Sequence, residues 1–148
     1  MQIQATTYPV LFGSDYYAAL SQCINDGNYS KIVVLVDTNT AQYCLNYVLQ
    51  WLAIDVAFEI IEIESGEEHK TIETCTAVWE SLVELDIDRK ALLLNVGGGV
   101  VCDLGGFVAA TYKRGIDFVN IPTTLLAMVD ASVGSKTGVD LGGLKNMI

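Results

Sequence analysis

The stretch ALLLNVGGGVVCDLGGF, residues 91–107, decides the fold. An apolar run ends on three consecutive glycines, and a carboxylate, Asp103, follows shortly after. Glycine loses more backbone freedom on folding than any other residue, so three in a row mark a place that needs bare backbone. The run before them predicts a strand over 91–96, and the apolar positions after them predict a helix over 101–112. A strand that ends in glycines and feeds a helix is one unit of an α/β fold.

Working outward, the same alternation repeats. KIVVLVD, 31–37, is a continuous apolar run ending in a carboxylate, as expected of a parallel strand covered on both faces. A helix is predicted over about 40–52, a strand over VAFEIIEIE, 56–64, and a turn with a helix start in SGEEHKT. From Thr71, Ile72, Cys75, Val78, Trp79, Leu82 and Val83 recur at helical spacing on one face, with Thr71 and Thr74 at the start. DFVNI, closed by Pro122, reads as a further strand and TLLAMVD as a helix ending at Asp130. Residues 2–6 and 8–12 alternate and form a short edge pair before a helix at about 15–24. Strand and helix alternate throughout, which specifies an α/β architecture with a largely parallel sheet flanked by helices. No internal repeat or linker interrupts it.

A chain of 148 residues fits one domain with a real core. The 51% apolar content and only two prolines fit an ordered, globular chain. The net charge of -10 argues against nucleic acid, and its distribution is uneven: residues 100–148 hold four basic and four acidic residues, so the whole excess lies in residues 1–99. The neutral, glycine-rich last third is where an anion can be held. Cys23, Cys44, Cys75 and Cys102 contain no C-x-x-C pair and read as buried small hydrophobes in a reducing compartment. The start MQIQATTYPVLFG has no charged n-region and no apolar run reaches membrane-spanning length, so a cytoplasmic protein without membrane association is expected.

In open α/β sheets, ligands sit beyond the carboxyl ends of the strands. Gly97, Gly98 and Gly99 fall at such an end, where bare N–H groups and a helix dipole suit a phosphate. The run does not match G-x-G-x-x-G, since Cys102 stands where the third glycine belongs, and no P-loop G-K-[ST] is present. A phosphate cradle and a tight turn with close helix packing both remain open. Asp37 suits a ribose hydroxyl or the cap of the next helix. Glu67, Glu68, His69 and Lys70 read as a charged helix entrance, and one histidine in the chain leaves no histidine-based metal site. The last third gathers Thr123, Thr124, Asp130, Ser132, Lys136, Lys145 and Asn146 among glycines, a set able to hold a polyol phosphate or to be plain solvated charge.

GGGVVCDLGGFVAATYKRG, followed by IPTTLLAMVDASVGSKTGVDLGGLKNMI, resembles the 3-dehydroquinate synthase family. The likeness is dense over residues 92–148 and weaker upstream, in VDTNT and SGEEHKT. It implies a Rossmann-like N-terminal domain that binds NAD through a GGGV-x-x-D variant. Asp37, Glu67, Lys70, Gly97, Gly98, Gly99, Val100, Asp103, Thr123, Thr124, Lys136 and Lys145 would then lie along the cofactor. Asp130, Lys136, Lys145 and Asn146 would face the substrate, with Arg114 on its phosphate across a homodimer interface. The catalytic set so implied is Asp130, Lys136, Asn146 and Arg114.

The implied reaction turns the sugar phosphate 3-deoxy-D-arabino-heptulosonate 7-phosphate into 3-dehydroquinate and phosphate, a step of the shikimate pathway. NAD takes a hydride transiently and returns it, with phosphate elimination and an intramolecular aldol closure in between. Two departures stand out. The family's G-G-K reads Gly134-Ser135-Lys136 here, and the chain stops after KNM at Ile148. The resemblance implies a C-terminal helical domain, with a glutamate and two histidines for zinc or cobalt, whose ligands are not expected within these 148 residues. The expectation is an N-terminal domain unable to complete the reaction alone. Another sugar-phosphate cyclase, a metal-dependent polyol dehydrogenase and a non-catalytic nucleotide-binding module are the alternatives.

Overall fold

The computed structural model describes residues 1–4, 8–13 and 15–148. Strands β1 (Gln2–Gln4) and β2 (Pro9–Leu11) pair antiparallel; the rest of the predicted edge pair, in residues 5–7, lies outside the described residues. Helix α1 (Tyr16–Asp26) leads to β3 (Ile32–Asp37), α2 (Thr38–Tyr43), α3 (Leu45–Trp51) and β4 (Phe58–Ile63). A 3-10 turn, Glu67–His69, precedes α4 (Ile72–Glu84), β5 (Leu92–Gly97) and α5 (Gly99–Thr111). A second 3-10 turn, Tyr112–Arg114, then precedes β6 (Asp117–Pro122) and α6 (Leu125–Val129).

The main sheet has the order β4-β3-β5-β6, and all its pairs are parallel. Buried β3 and β5 occupy its centre, which is why their sequences are near-continuous aliphatic runs. Alternate residues of each strand feed the two cores. Val34, Val36, Leu92, Leu94 and Val96 pack against α1 and α3, through Leu20, Ile24, Leu45 and Val48. Val33, Leu35 and Leu93 pack against α4 and α5, through Cys75, Val78, Leu82, Val101, Leu104 and Val108.

Three expectations change at this level, and one predicted helix is barely seated. The helix predicted over 40–52 is two helices that break at Cys44, after a capping box in which Asp37 and Thr40 exchange hydrogen bonds. Val83 is exposed although it shares the apolar spacing of α4, whose buried residues are Cys75, Val78 and Leu82. Cys23 is exposed and Cys44 half-buried, so only Cys75 and Cys102 behave as core residues. Helix α6 buries Ala127 alone, leaving Leu125 76% and Leu126 70% exposed.

One strand residue is unexpectedly polar. Asn95 is fully buried, donates from Nδ2 to Asn120 Oδ1 at 2.9 Å, and presses its amide oxygen against Gly105 of α5. A Cβ at Gly105 would overlap that oxygen. The glycine within the helix is therefore what lets α5 lie this close to β5.

Candidate functional site

Counting the parallel strands in chain order, β3, β4, β5, β6, the spatial order is second, first, third, fourth. The connection after β3 leaves in one direction and β5 lies on the other side, so the topological switch point falls between the carboxyl ends of β3 and β5. Asp37 ends one of these strands and Gly97 the other. Such a crevice is where open α/β sheets hold ligands.

The glycine triplet divides into two roles. A Cβ at Gly97 would run into the Val101 side chain, so Gly97 serves internal packing. At Gly98 a Cβ would make ordinary contact with Thr124 Cγ2 at 3.4 Å, and at Gly99 its nearest neighbour would be Ala131 Cβ at 4.0 Å. Neither residue has positive φ. Nothing inside the fold demands glycine at 99, and the bare surface there faces outward. Gly98 is the N-cap of α5 and has no side chain to satisfy the first N–H groups, so those of Gly99, Val100 and Val101 lack an intrahelical partner. The first bonded amide is that of Cys102, which donates to Gly98 O at 3.0 Å. Uncapped first-turn N–H groups at the positive end of a helix dipole have the chemistry that suits an anion. Helix α5 begins at Gly99, two residues earlier than the sequence predicts, which draws the third glycine into its first turn. Cys102 breaks the usual fingerprint harmlessly, because its side chain is buried and its thiol meets Gly97 O at 3.7 Å.

Around this turn, Thr123 N–H donates to Gly97 O at 3.0 Å, and Thr124 caps α6 by accepting from Ala127 N–H at 3.2 Å. Asp130 ends α6 and is exposed; its carbonyl accepts from Gly134 N–H at 2.8 Å, closing the turn that carries exposed Lys136. Ser135 sits at φ 56°, a conformation that favours glycine, and its hydroxyl donates to the Tyr8 hydroxyl at 3.0 Å. Tyr8 in turn donates to Val133 O at 2.6 Å. The serine that departs from G-G-K is thus tied to the N-terminal strand pair.

The largest surprise is Lys70. Sequence reading placed it at a charged helix entrance, yet it is 4% exposed. Its Nζ donates to Asp103 Oδ2 and to Asn146 Oδ1, each at 2.6 Å. The chain after Lys136 returns along α5: Gly138 N–H donates to Asp103 O at 3.3 Å, Asp140 N–H to Lys70 O at 2.9 Å, and Asn146 N–H to Asp140 Oδ1 at 2.7 Å. Lys145 Nζ lies 3.1 Å from Glu67 Oε1 on the exposed rim, a pair of little energetic weight. Lys70, Asp103, Asn146, Glu67 and Lys145 are therefore gathered beside the start of α5.

Two residues stand apart. Asp37 Oδ1 is engaged by Thr40 N–H at 2.8 Å as a helix cap, although it does flank the crevice. Arg114 lies beyond the far end of α5, a 13-residue helix about 20 Å long, so this chain does not bring it to the glycine turn. Lys113 and Arg114 both have positive φ, 48° and 68°, a strain of about 1 kcal/mol or more each. Among the described residues no three His, Cys, Asp or Glu side chains come together as a metal site. No helix among the described residues is long and apolar enough to cross a membrane.

Comparison with solved structures defines the class first. The chain superposes on 2-deoxy-scyllo-inosose synthase, solved with carbaglucose-6-phosphate, NAD+ and Co2+, with a TM-score of 0.89 and 26% identity over 100% of this chain and 41% of that one. It superposes on 2-epi-5-epi-valiolone synthase from Streptomyces hygroscopicus subsp. jinggangensis, solved with NAD+ and Zn2+, at 0.83 and 30% over 99% of this chain and 41% of that one. The architecture is that of the sugar-phosphate cyclases. Within it, residues 60–148 match the family model described as 3-dehydroquinate synthase N-terminal. The 3-dehydroquinate synthase of Acetivibrio thermocellus is 41% identical over 151 residues, covering 100% of this chain. This chain belongs to the 3-dehydroquinate synthase family. It spans 41% of the length of that relative.

Proposed function

We propose that this chain is the NAD-binding part of a 3-dehydroquinate synthase, which converts 3-deoxy-D-arabino-heptulosonate 7-phosphate to 3-dehydroquinate and phosphate. The observation that carries the reading is the outward-facing bareness of Gly98 and Gly99 at the switch point, which packing and backbone conformation leave unexplained. The residues fit a dinucleotide: free N–H groups at the start of α5 receive the diphosphate, and Thr123, Thr124 and Asp37 border the path of its two halves. NAD, when bound, supplies a reversible hydride acceptor. The chain's own part would be to bind the diphosphate on the α5 amides, to offer Asp103 and Asn146 beside them, and to present Asp130, Lys136 and Lys145 to a polyol phosphate. The 41% identity to a 3-dehydroquinate synthase, against 26% and 30% for the two other cyclases, favours this member of the class.

The full reaction also needs what the chain does not present. No metal site is assembled among the described residues. The exposed apolar side chains of α6, beside Asp130, mark a surface that further protein would cover, as the rest of a full-length relative does in this reading. In this reading the protein is a cytoplasmic homodimer, in which Arg114 of one subunit serves the substrate phosphate of the other. The expected behaviour of the isolated chain is NAD binding without turnover. Calorimetric titration with NAD+ tests this: saturable heat supports the reading, and no heat up to about 1 mM cofactor overturns it.

A further inference from the structure

The family likeness sets Lys70 along the cofactor, but at 4% exposure it has almost no surface to offer a ligand. An ammonium group has three donors and no acceptor, so every atom it meets is fixed as an acceptor. Its bond to Asn146 Oδ1, at 2.6 Å, therefore decides which way that amide is turned: carbonyl inward, NH2 outward. Asn146 is exposed, and its backbone is pinned at φ 53° by the 2.7 Å bond from its N–H to Asp140 Oδ1. Lys70 also takes Oδ2 of Asp103, whose side chain is 20% exposed, and leaves Oδ1 as the remaining acceptor.

We propose that Lys70 is a positioning residue that sets the polarity of the site, turning the Asn146 amide N–H groups and one Asp103 oxygen toward the ligand as an adjacent donor and acceptor. The ligand feature that matches is an oxygen acceptor next to a hydroxyl or amide donor, which a polyhydroxy sugar and a primary carboxamide both carry. Because the pair is held before binding, little side-chain ordering remains to oppose it. The identity of the ligands, NAD+ and the heptulosonate phosphate, rests on the proposed function; the orientation of Asn146 does not.

Side-chain amide NMR on the 15N-asparagine-labelled full chain reads that orientation without any ligand. The Asn146 NH2 pair should be rigid in the parent chain and mobile in Lys70→Met, with the backbone spectrum otherwise kept. Equal mobility in both overturns the proposal. Asn146→Asp provides the second arm and serves where Lys70→Met does not fold. A carboxylate still accepts from Lys70, so the thermal midpoint should hold or rise, but the outward donors are gone. Affinity for NAD+ or for the heptulosonate phosphate should then fall about tenfold or more, the scale of a lost hydrogen bond that leaves a polar group unpaired. Unchanged affinity for both ligands overturns the proposal. A parent chain that binds neither ligand, with Asn146 still rigid through Lys70, counts against the proposed function and not against the positioning role.

Discussion

Replacing Gly99 with alanine should make the protein more stable and a poorer NAD binder at once. Gly99 is the first residue of α5, its φ is not positive, and the nearest atom to an added Cβ is 4.0 Å away, so the folded state accepts the methyl group without strain. The unfolded chain meanwhile loses freedom that glycine alone has. That difference stabilises by about 0.4–1 kcal/mol. At an unfolding entropy of about 2.1 cal/mol/K per residue, a chain of 148 residues has about 0.3 kcal/mol/K, which translates to a rise in melting temperature of about 1–3 °C. Binding moves the other way, since the new methyl group stands where a phosphate oxygen has to approach the amide. A loss of about tenfold or more in affinity, about 1.4 kcal/mol, is expected.

Differential scanning calorimetry and isothermal titration with NAD+ read the two effects separately. Gly97→Ala is the internal control, because its Cβ would run into Val101; it should lose about 1–3 kcal/mol of stability by overpacking. Opposite signs at neighbouring glycines cannot come from a general effect of the substitution. Undiminished NAD affinity in the Gly99→Ala protein, or a fall in its melting temperature, refutes the division of the triplet into a packing glycine, Gly97, and the cradle glycines Gly98 and Gly99.

Gly105→Ala should cost about 1–3 kcal/mol, seen as a lower urea midpoint, because the Cβ overlaps the Asn95 amide oxygen; an unchanged midpoint would mean that α5 can lift from β5 at no cost. Ser135→Ala keeps the strained φ of 56° but removes the bond to Tyr8, a loss of about 0.5–1.5 kcal/mol, and combined with Tyr8→Phe it should lose less than the sum of the two; strict additivity refutes the contact. Burial foremost, with Glu73 and Asp103 nearby, pushes the Cys75 and Cys102 thiols up from 9.0 to about 12, so at pH 8 a disulfide reagent should modify exposed Cys23 and leave both untouched until denaturant is added. The same shift gives these thiols a stabilising contribution that is whole below pH 9 and is lost as pH climbs from 9 toward 12, since the unfolded chain gives up protons that the folded one keeps; a flat stability profile over that interval contradicts it.

What the sequence discloses here is set by how local the cause is. The central strands are legible because β3 and β5 are buried on both faces and so read as near-continuous aliphatic runs, broken only by Asn95 and by the strand-end Asp37 and Gly97. The start of α4 is legible because Thr71 accepts from the N–H of Thr74, three positions on. The break at Cys44 is not, because the residues on either side continue a helical pattern and only the seating of Leu45 and Val48 against the sheet separates them. Lys70 is hidden for a stronger reason. Its neighbours Glu67, Glu68 and His69 have the composition of a solvated turn, while the groups that make burial tolerable lie 33 and 76 positions away in sequence. The Tyr8 and Ser135 contact, spanning 127 positions, is equally beyond local pattern.

The ties made by Lys70 and by the returning segment converge on the first turns of α5, and that convergence links fold and site. Asp103 takes Lys70 on its carboxylate and Gly138 N–H on its carbonyl, while the amides one turn earlier stay open. The segment carrying Lys145 and Asn146 is therefore ordered through the same short stretch of helix that offers N–H groups to an anion. In a chain of net charge -10, that stretch is also where the positive end of a helix dipole lies beside Lys70, through Asp103, and near Lys145 of the charge-balanced last third. An anion that settles on those amides bonds to groups whose positions Asp103 already fixes, so its binding energy goes into holding the helix start and, through it, the returning segment. By linkage, any ligand bound to the native state alone stabilises that state by its own occupancy, here through the one helix turn that the sequence marks with three glycines.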